Sequence, residues 1–261
     1  MTGCRQRSAV CPVIGRWLWL VALLALSGCT LMPVDLPGSD TRAARANTEL
    51  GLAYLEEGRP AAARDVLLKA VELDSRLAGA QAALAVAHSQ LGESREARER
   101  FLAAIGLEPE DASIRNNYGV HLCADGDYAE AQRQFTLALA APDYRTPERV
   151  LSNAGACAIS EGDTARARIF LEQALVHEPL HAPALLRLSR LAYQEGALDL
   201  AWGWLRRLER SQELDAAGLD LAVAISERLG DTEAAAAYRE ARMRLGERGG
   251  DSSDALLRLG E

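Results

Sequence analysis

The sequence predicts an all-α fold, a solenoid of six two-helix repeats, and three spacings in its 261 residues carry that expectation. Gly58, Gly92, Gly126, Gly162, Gly196 and Gly230 recur at intervals of 34, 34, 36, 34 and 34. Five residues after each stands an alanine: Ala63, Ala97, Ala131, Ala167, Ala201 and Ala235. Seven residues before each stands Gly51, Ala85, Gly119, Gly155, Ser189 or Val223, small in all but the last. A fixed period of this length marks stacked supersecondary units, none of which can bury its apolar face alone.

Taken in order, the chain opens on Arg5, Arg7 and Arg16 ahead of an apolar run from Trp17 to Leu26. That run is too short to span a bilayer as a mature helix and has the pattern of an export signal, expected over residues 1–28. It closes on Leu26-Ser27-Gly28-Cys29, which resembles the lipobox of bacterial lipoproteins, where cleavage precedes the cysteine and its thiol carries a diacylglycerol. The resemblance implies lipidation of Cys29, with acyl chains holding the protein to a membrane surface while the polypeptide stays in water. Thr30 follows instead of an aspartate, which by the same resemblance implies the outer membrane, facing the periplasm. The rest of 29–43 is rich in Pro, Gly, Asp and Ser and is expected to be a flexible tether with a reach of about 45 Å.

Residues 44–246 hold the repeats. Thirty-four residues with small positions 8 and 20 resemble the tetratricopeptide repeat, and larger apolar residues agree with it: Leu50, Leu84 and Tyr118 at position 7, then Leu67, Phe101, Phe135, Leu171 and Leu205 at position 24. The resemblance implies a right-handed superhelical solenoid of six tetratricopeptide repeats with a concave face lined by the first helix, helix A, of each. Small residues at 8 and 20 let helices A and B approach closely, and glycine at 15 lets helix A end in a turn with φ > 0. Pro109 and Pro179 close helix B of repeats 2 and 4. The two extra residues fall in Ala141-Pro142-Asp143-Tyr144-Arg145-Thr146-Pro147, a longer turn between repeats 3 and 4. In repeat 6, Arg239 and Arg242 replace apolar residues at positions 24 and 27, as suits the solubilising end of a solenoid. Residues 247–261, with Gly249-Gly250 and Ser252-Ser253, are expected to form a flexible tail, with at most a helical turn over Ala255 to Leu259.

The formal net charge is −8, and removing residues 1–28 takes away three arginines and no acid, leaving about −11. So acidic a chain disfavours nucleic acid and anionic lipid surfaces as partners, leaving basic ones open. Lys69 is the only lysine among 29 basic residues, which argues against a carboxylate clamp built from groove lysines.

No residue set supports catalysis, a cofactor or a small-molecule substrate. His177-Glu178-Pro179-Leu180-His181 matches a zinc-protease string, but that chemistry needs both imidazoles on one helical face, and Pro179 stands where helix B ends. His88 and His121 lie in A helices with no metal-ligand spacing, and no nucleophile elbow, phosphate loop or dinucleotide fingerprint occurs. Asn117 and Asn153 fall at position 6 of helix A in repeats 3 and 4, with Asn116 beside the first. Their amides can donate to and accept from an extended backbone at once, or bond within the solenoid.

The stretch Asn116-Asn117-Tyr118-Gly119, Leu122-Cys123, Gly126, Tyr144 to Arg149 and Asn153-Ala154-Gly155-Ala156-Cys157-Ala158 goes beyond the general repeat. It resembles the type IV pilus biogenesis and stability lipoproteins, the PilW/PilF family of pilotins. That resemblance implies six repeats on an outer-membrane lipid anchor, no enzymatic activity, and the secretin subunit of the type IV pilus as the partner helped to localise and multimerise. The alternative is another periplasm-facing repeat adaptor, serving barrel assembly or a murein hydrolase.

Two further expectations rest on residues. Leu52 and Leu55 occupy positions 9 and 12 of the first helix A, and Val86 position 9 of the next, positions that face the concave side and are commonly polar. Three neighbouring apolar residues there predict a docking patch, unless Val34 and Leu36 of the tether fold back over it. Cys123 and Cys157 are expected to form a disulfide: export places them in an oxidising compartment, and removal of Cys4 and Cys11 with acylation of Cys29 leaves them as the remaining pair. At positions 12 and 10 of successive A helices they differ by about 200° on a common wheel, so they face each other across the A-to-A contact with an axial offset of about 3 Å.

Overall fold

The computed structural model describes residues 39–257 apart from residue 143, with side chains over 40–246. The export signal, Cys29, Val34 and Leu36 lie outside the described residues. Among the described residues twelve helices follow one another, two per repeat. Repeat 1 holds α1 (Ser39–Glu56) and α2 (Pro60–Leu73), repeat 2 holds α3 (Ala78–Gln90) and α4 (Ser94–Leu107), and repeat 3 holds α5 (Ala112–Ala124) and α6 (Tyr128–Ala140). Then come α7 (Pro147–Glu161) with α8 (Thr164–His177), α9 (Ala182–Gln194) with α10 (Leu198–Glu209), and α11 (Ala216–Leu229) with α12 (Thr232–Leu257). Odd-numbered helices are the A helices. From α3 onward each packs on its own B helix and on the next A helix, and each B helix on the following A helix. No described helix is long and apolar enough to cross a membrane.

The ends of the helices follow from short-range chemistry. Asp111, Asp163 and Asp215 stand before α5, α8 and α11, and each carboxylate accepts the backbone N–H three residues on at 2.8–2.9 Å. Such a cap satisfies a donor the helix cannot, contributing about 1 kcal/mol. Pro60 and Pro147 begin their helices, where a missing N–H costs nothing. All six period-setting glycines have φ between 69° and 91°. At Gly126 the turn places the Asp127 N–H on the Leu122 carbonyl at 2.9 Å, closing helix α5.

The period also sets the core. A Cβ at Gly119 would stand 2.7 Å from Phe135, and one at Gly155 2.7 Å from Leu171. Position 8 is therefore small because the position-24 side chain of the same repeat fills the space above it. Leu67, Phe101, Phe135, Leu171 and Leu205 are buried at position 24. In repeat 5 Ser189 stands at position 8 instead, and its hydroxyl donates to the carbonyl of Ala201, the position-20 alanine, at 2.8 Å.

Two expected boundaries move. Residues 39–43 belong to α1, not to a tether: the Thr41 hydroxyl donates to the Asp74 carboxylate at 3.0 Å, and Ala44 is fully buried. After Gly38 no Gly or Pro delays the helix, and Asp40 in its first turn complements the dipole. At the other end α12 runs to Leu257, past the expected tail start at 247. The glycines and serines there lower helix propensity by up to about 1 kcal/mol each, but no proline interrupts the ladder. Arg239 and Arg242 reach back to Glu227 and to Asp220, the second pair at 3.0 Å, so the last B helix turns charge toward the carboxylates of α11.

Candidate functional site

Successive A helices form one concave face, and repeat position decides what each presents to it. At the N-terminal end α1, α3 and α5 enclose a groove of about 440 Å³, lined by Leu52, Leu55, Ala82, Val86, Ile114 and Asn117 among others. Beside it lies a smaller recess of about 140 Å³ that shares Val86 and Asn117 and adds Val120 and His121. Leu52 is 46% exposed and Val120 44%. The sequence-named Leu52, Leu55, Val86 and Asn117 therefore come together in one place, and Val120, position 9 of the third repeat, extends the apolar row.

The asparagines divide. Asn116 is corrected as a groove residue: it is buried, its Nδ2 donates to Asn117 Oδ1 at 3.3 Å, and its Oδ1 accepts from Asn153 Nδ2 at 3.0 Å. In α5 position 5 is buried against the neighbouring A helix, whereas position 6 of α5 and of α7 is half-exposed. A chain of amides thus runs across the seam between α5 and α7, with Asn117 and Asn153 at its edges.

The same seam holds a repeated contact between position 12 of one A helix and position 10 of the next. Between α3 and α5 it is Ser89 Oγ with His121 Nδ1, 3.0 Å apart. Between α5 and α7 it is a disulfide, Cys123 with Cys157, with Cα atoms 5.7 Å apart. His121 is 2% exposed and packs against Phe101 and Tyr118. Burial holds its imidazole below the ordinary histidine range, with Asp125 opposing that shift.

His177 ends α8 while His181 precedes α9, its Nδ1 2.8 Å from Glu178. The two imidazoles stand at the ends of different helices and not on one helical face, and no group of three or more His, Cys, Asp or Glu among the described residues could hold a metal ion.

Sequence reasoning missed a second recess. The positions that build the apolar groove at α3 recur three repeats later at α9, where Leu186, Arg187 and Arg190 replace Ala82, Ala83 and Val86. With Leu208, Gln212 and Asp215 they line a recess of about 470 Å³. Arg187 Nη1 donates to Ser152 Oγ and to the Pro183 carbonyl, both at 3.1 Å. This is the position-6-to-position-5 link that Asn153 makes to Asn116. Burial lowers the Arg187 guanidinium from its usual range, and the charge of Arg190 adds to that. The signal lay in position 6, read for asparagines, and in a search for lysines that passed over arginines.

Tetratricopeptide repeat family models match residues 44–76, 82–146 and 158–216. Among solved structures the chain is similar to PilF of Pseudomonas aeruginosa, with 28% identity, 79% of this chain and 93% of that chain covered, and a TM-score of 0.65. It is also similar to PilW, described as a widely conserved type IV pilus biogenesis factor, with 29% identity, 76% and 91% covered, and a TM-score of 0.66. The Cut9–Hcn1 heterotetramer of the anaphase-promoting complex, at 18% identity over 94% of this chain and 46% of that one with a TM-score of 0.64, shares the fold alone. No curated protein matches the chain.

Proposed function

The chain belongs to the tetratricopeptide-repeat family, and from that premise we propose that it is an outer-membrane lipoprotein of type IV pilus biogenesis. In this reading it is a pilotin: its concave face takes a segment of the secretin subunit and promotes that subunit's localisation and multimerisation. It acts by binding, not by catalysis. The observation that carries the reading is its likeness to PilF and PilW, at 28% and 29% identity over more than nine-tenths of each.

The geometry supports it in a second way. A groove edged by Leu52, Leu55, Val86 and Val120 offers apolar surface where a solenoid face is ordinarily solvated. Burying one leucine-sized side chain there contributes roughly 1.5–3 kcal/mol, enough for a few such contacts to hold a peptide segment. Asn117 and Asn153 stand at the edge to bond its backbone.

Deleting the gene and measuring heat-stable secretin multimers in outer-membrane fractions tests the reading. Multimers should fall and monomer accumulate, wild-type chain should restore them, and Cys29→Ser should leave the protein outside the outer-membrane pellet. Unchanged multimer levels in the deletion strain would remove the pilotin assignment, and a pelleted Cys29→Ser chain would remove the anchor.

A further inference from the structure

The concave face is apolar at repeats 1–3 and cationic at repeat 5, in a chain whose formal charge is −8. Arg187 is the less ordinary of the two cations. Its guanidinium is partly withdrawn from water, yet among the described residues its hydrogen-bond partners are a hydroxyl and a carbonyl, neither of them charged. Many of the other arginines reach a carboxylate, as Arg64 does Glu93 at 3.0 Å and Arg168 does Glu195 at 2.5 Å. A buried cation without a counter-charge is costly, and the cost falls when an anion arrives. One helical turn away, Arg190 is exposed and, among the described residues, likewise makes no ion pair. The two stand at positions 6 and 9 of the same helix and so share a face. The acid that lines the recess, Asp215, caps α11, where its Oδ1 accepts the Gly218 N–H at 2.8 Å. Leu186 and Leu208 supply an apolar floor beside the guanidinium groups.

We propose that Arg187 and Arg190 form a carboxylate-binding subsite of the groove, taking an acidic group borne next to an apolar side chain on an extended partner peptide. A planar guanidinium matches a carboxylate in two parallel N–H···O bonds, which a lysine would not do. The recess, at about 470 Å³, has room for the carboxylate and one neighbouring side chain. Asn153 lies one repeat before and Asn117 two, at the same position 6, so a chain anchored at Arg187 would run past amides that can bond its backbone. The subsite rests on the groove being a peptide-binding face and not on which protein supplies the peptide.

The test uses the full chain labelled with ¹⁵N at arginine and three octapeptides of otherwise equal sequence. One is amidated with an internal Leu-Glu pair, one carries no acidic side chain but ends in a free leucine carboxylate, and one is neutral and amidated. Saturable shifts of the Arg187 and Arg190 Nε–H resonances are expected with an acidic peptide and not with the neutral one. The internal acid and the free terminus distinguish a side chain from a C-terminus as the source. Arg187→Gln and Arg190→Gln should each weaken that binding roughly tenfold, as loss of a charge-assisted pair does. Arg190 is exposed, so its variant keeps the fold even where Arg187→Gln does not. Equal shifts with the neutral peptide, no shift with any peptide at millimolar concentration, or unaltered affinity in folded Arg190→Gln would overturn the subsite. Neutral-peptide binding at Leu52 with no response at Arg187 would remove the subsite while leaving the groove.

Discussion

At the scale of single residues, what a glycine does here depends on the atoms opposite it. Gly119 faces Phe135 so closely that Gly119→Ala must push the ring aside, at a cost of roughly 1–3 kcal/mol. Gly203, inside α10, has open space around its missing Cβ, so Gly203→Ala should stabilise by about 0.5–1 kcal/mol. Urea denaturation of the two variants should move the midpoint in opposite directions. His121 gives a pH dependence whose sign follows from its lowered pKa in the fold. The unfolded chain binds that proton near pH 6.5 while the folded chain resists it, so the stability it contributes is present above that pH and lost as pH falls through the lower folded value. Between pH 7 and pH 5 the wild-type chain should lose more stability than His121→Gln, whatever their absolute values. Parallel slopes would show that His121 titrates alike in both states. The glycine period was legible because a positive φ and a close approach each demand glycine. The choice between Asn116 and Asn117 was not: neighbours on a helix differ by about 100°, and which one turns inward depends on the neighbouring helix.

At the scale of helices, the seam between successive A helices repeats one contact in different chemistries. Ser89 with His121 and Cys123 with Cys157 occupy equivalent positions, 12 and 10, and the second closes a loop 34 residues apart in sequence. In the chain-entropy model such a closure contributes on the order of 3–4 kcal/mol. Cys157→Ser should lower the urea midpoint by a corresponding amount, and reductant should lower the wild-type midpoint while leaving the variant unmoved. Two labelled thiols on unfolding oxidised, periplasmically expressed chain would contradict the bridge. The wheel positions of the cysteines could be read from the repeat register, because stacked equivalent helices share one geometry. The outer limits of α1 and α12 could not. Helix ends are set by balances of about 1 kcal/mol per residue, so Ser39 to Ala43 and the residues from 247 to Leu257 read as loose composition and fold as helix.

At the scale of the whole solenoid, the six-repeat register turns local substitutions into a graded face. Positions 6 and 9 read Ala83 and Val86 in repeat 2, Asn117 and Val120 in repeat 3, and Arg187 and Arg190 in repeat 5. In the proposed peptide-binding reading, a surface apolar at one end and cationic three repeats on fixes both the position and the direction of the bound chain. The repeat count and the apolar end were evident in the sequence, since both rest on fixed spacing. The cationic end becomes evident only when burial shows Arg187 withdrawn from water without a carboxylate. The central claim is that the N-terminal groove grips a partner protein through apolar contacts. Leu52→Glu tests it most directly, because Leu52 is nearly half exposed and its replacement leaves the core intact. Purified secretin subunit titrated against wild-type and Leu52→Glu chains of equal helicity and equal melting temperature should bind the variant at least roughly tenfold more weakly, the loss of one apolar anchor. A folded Leu52→Glu chain that binds with wild-type affinity would contradict the account.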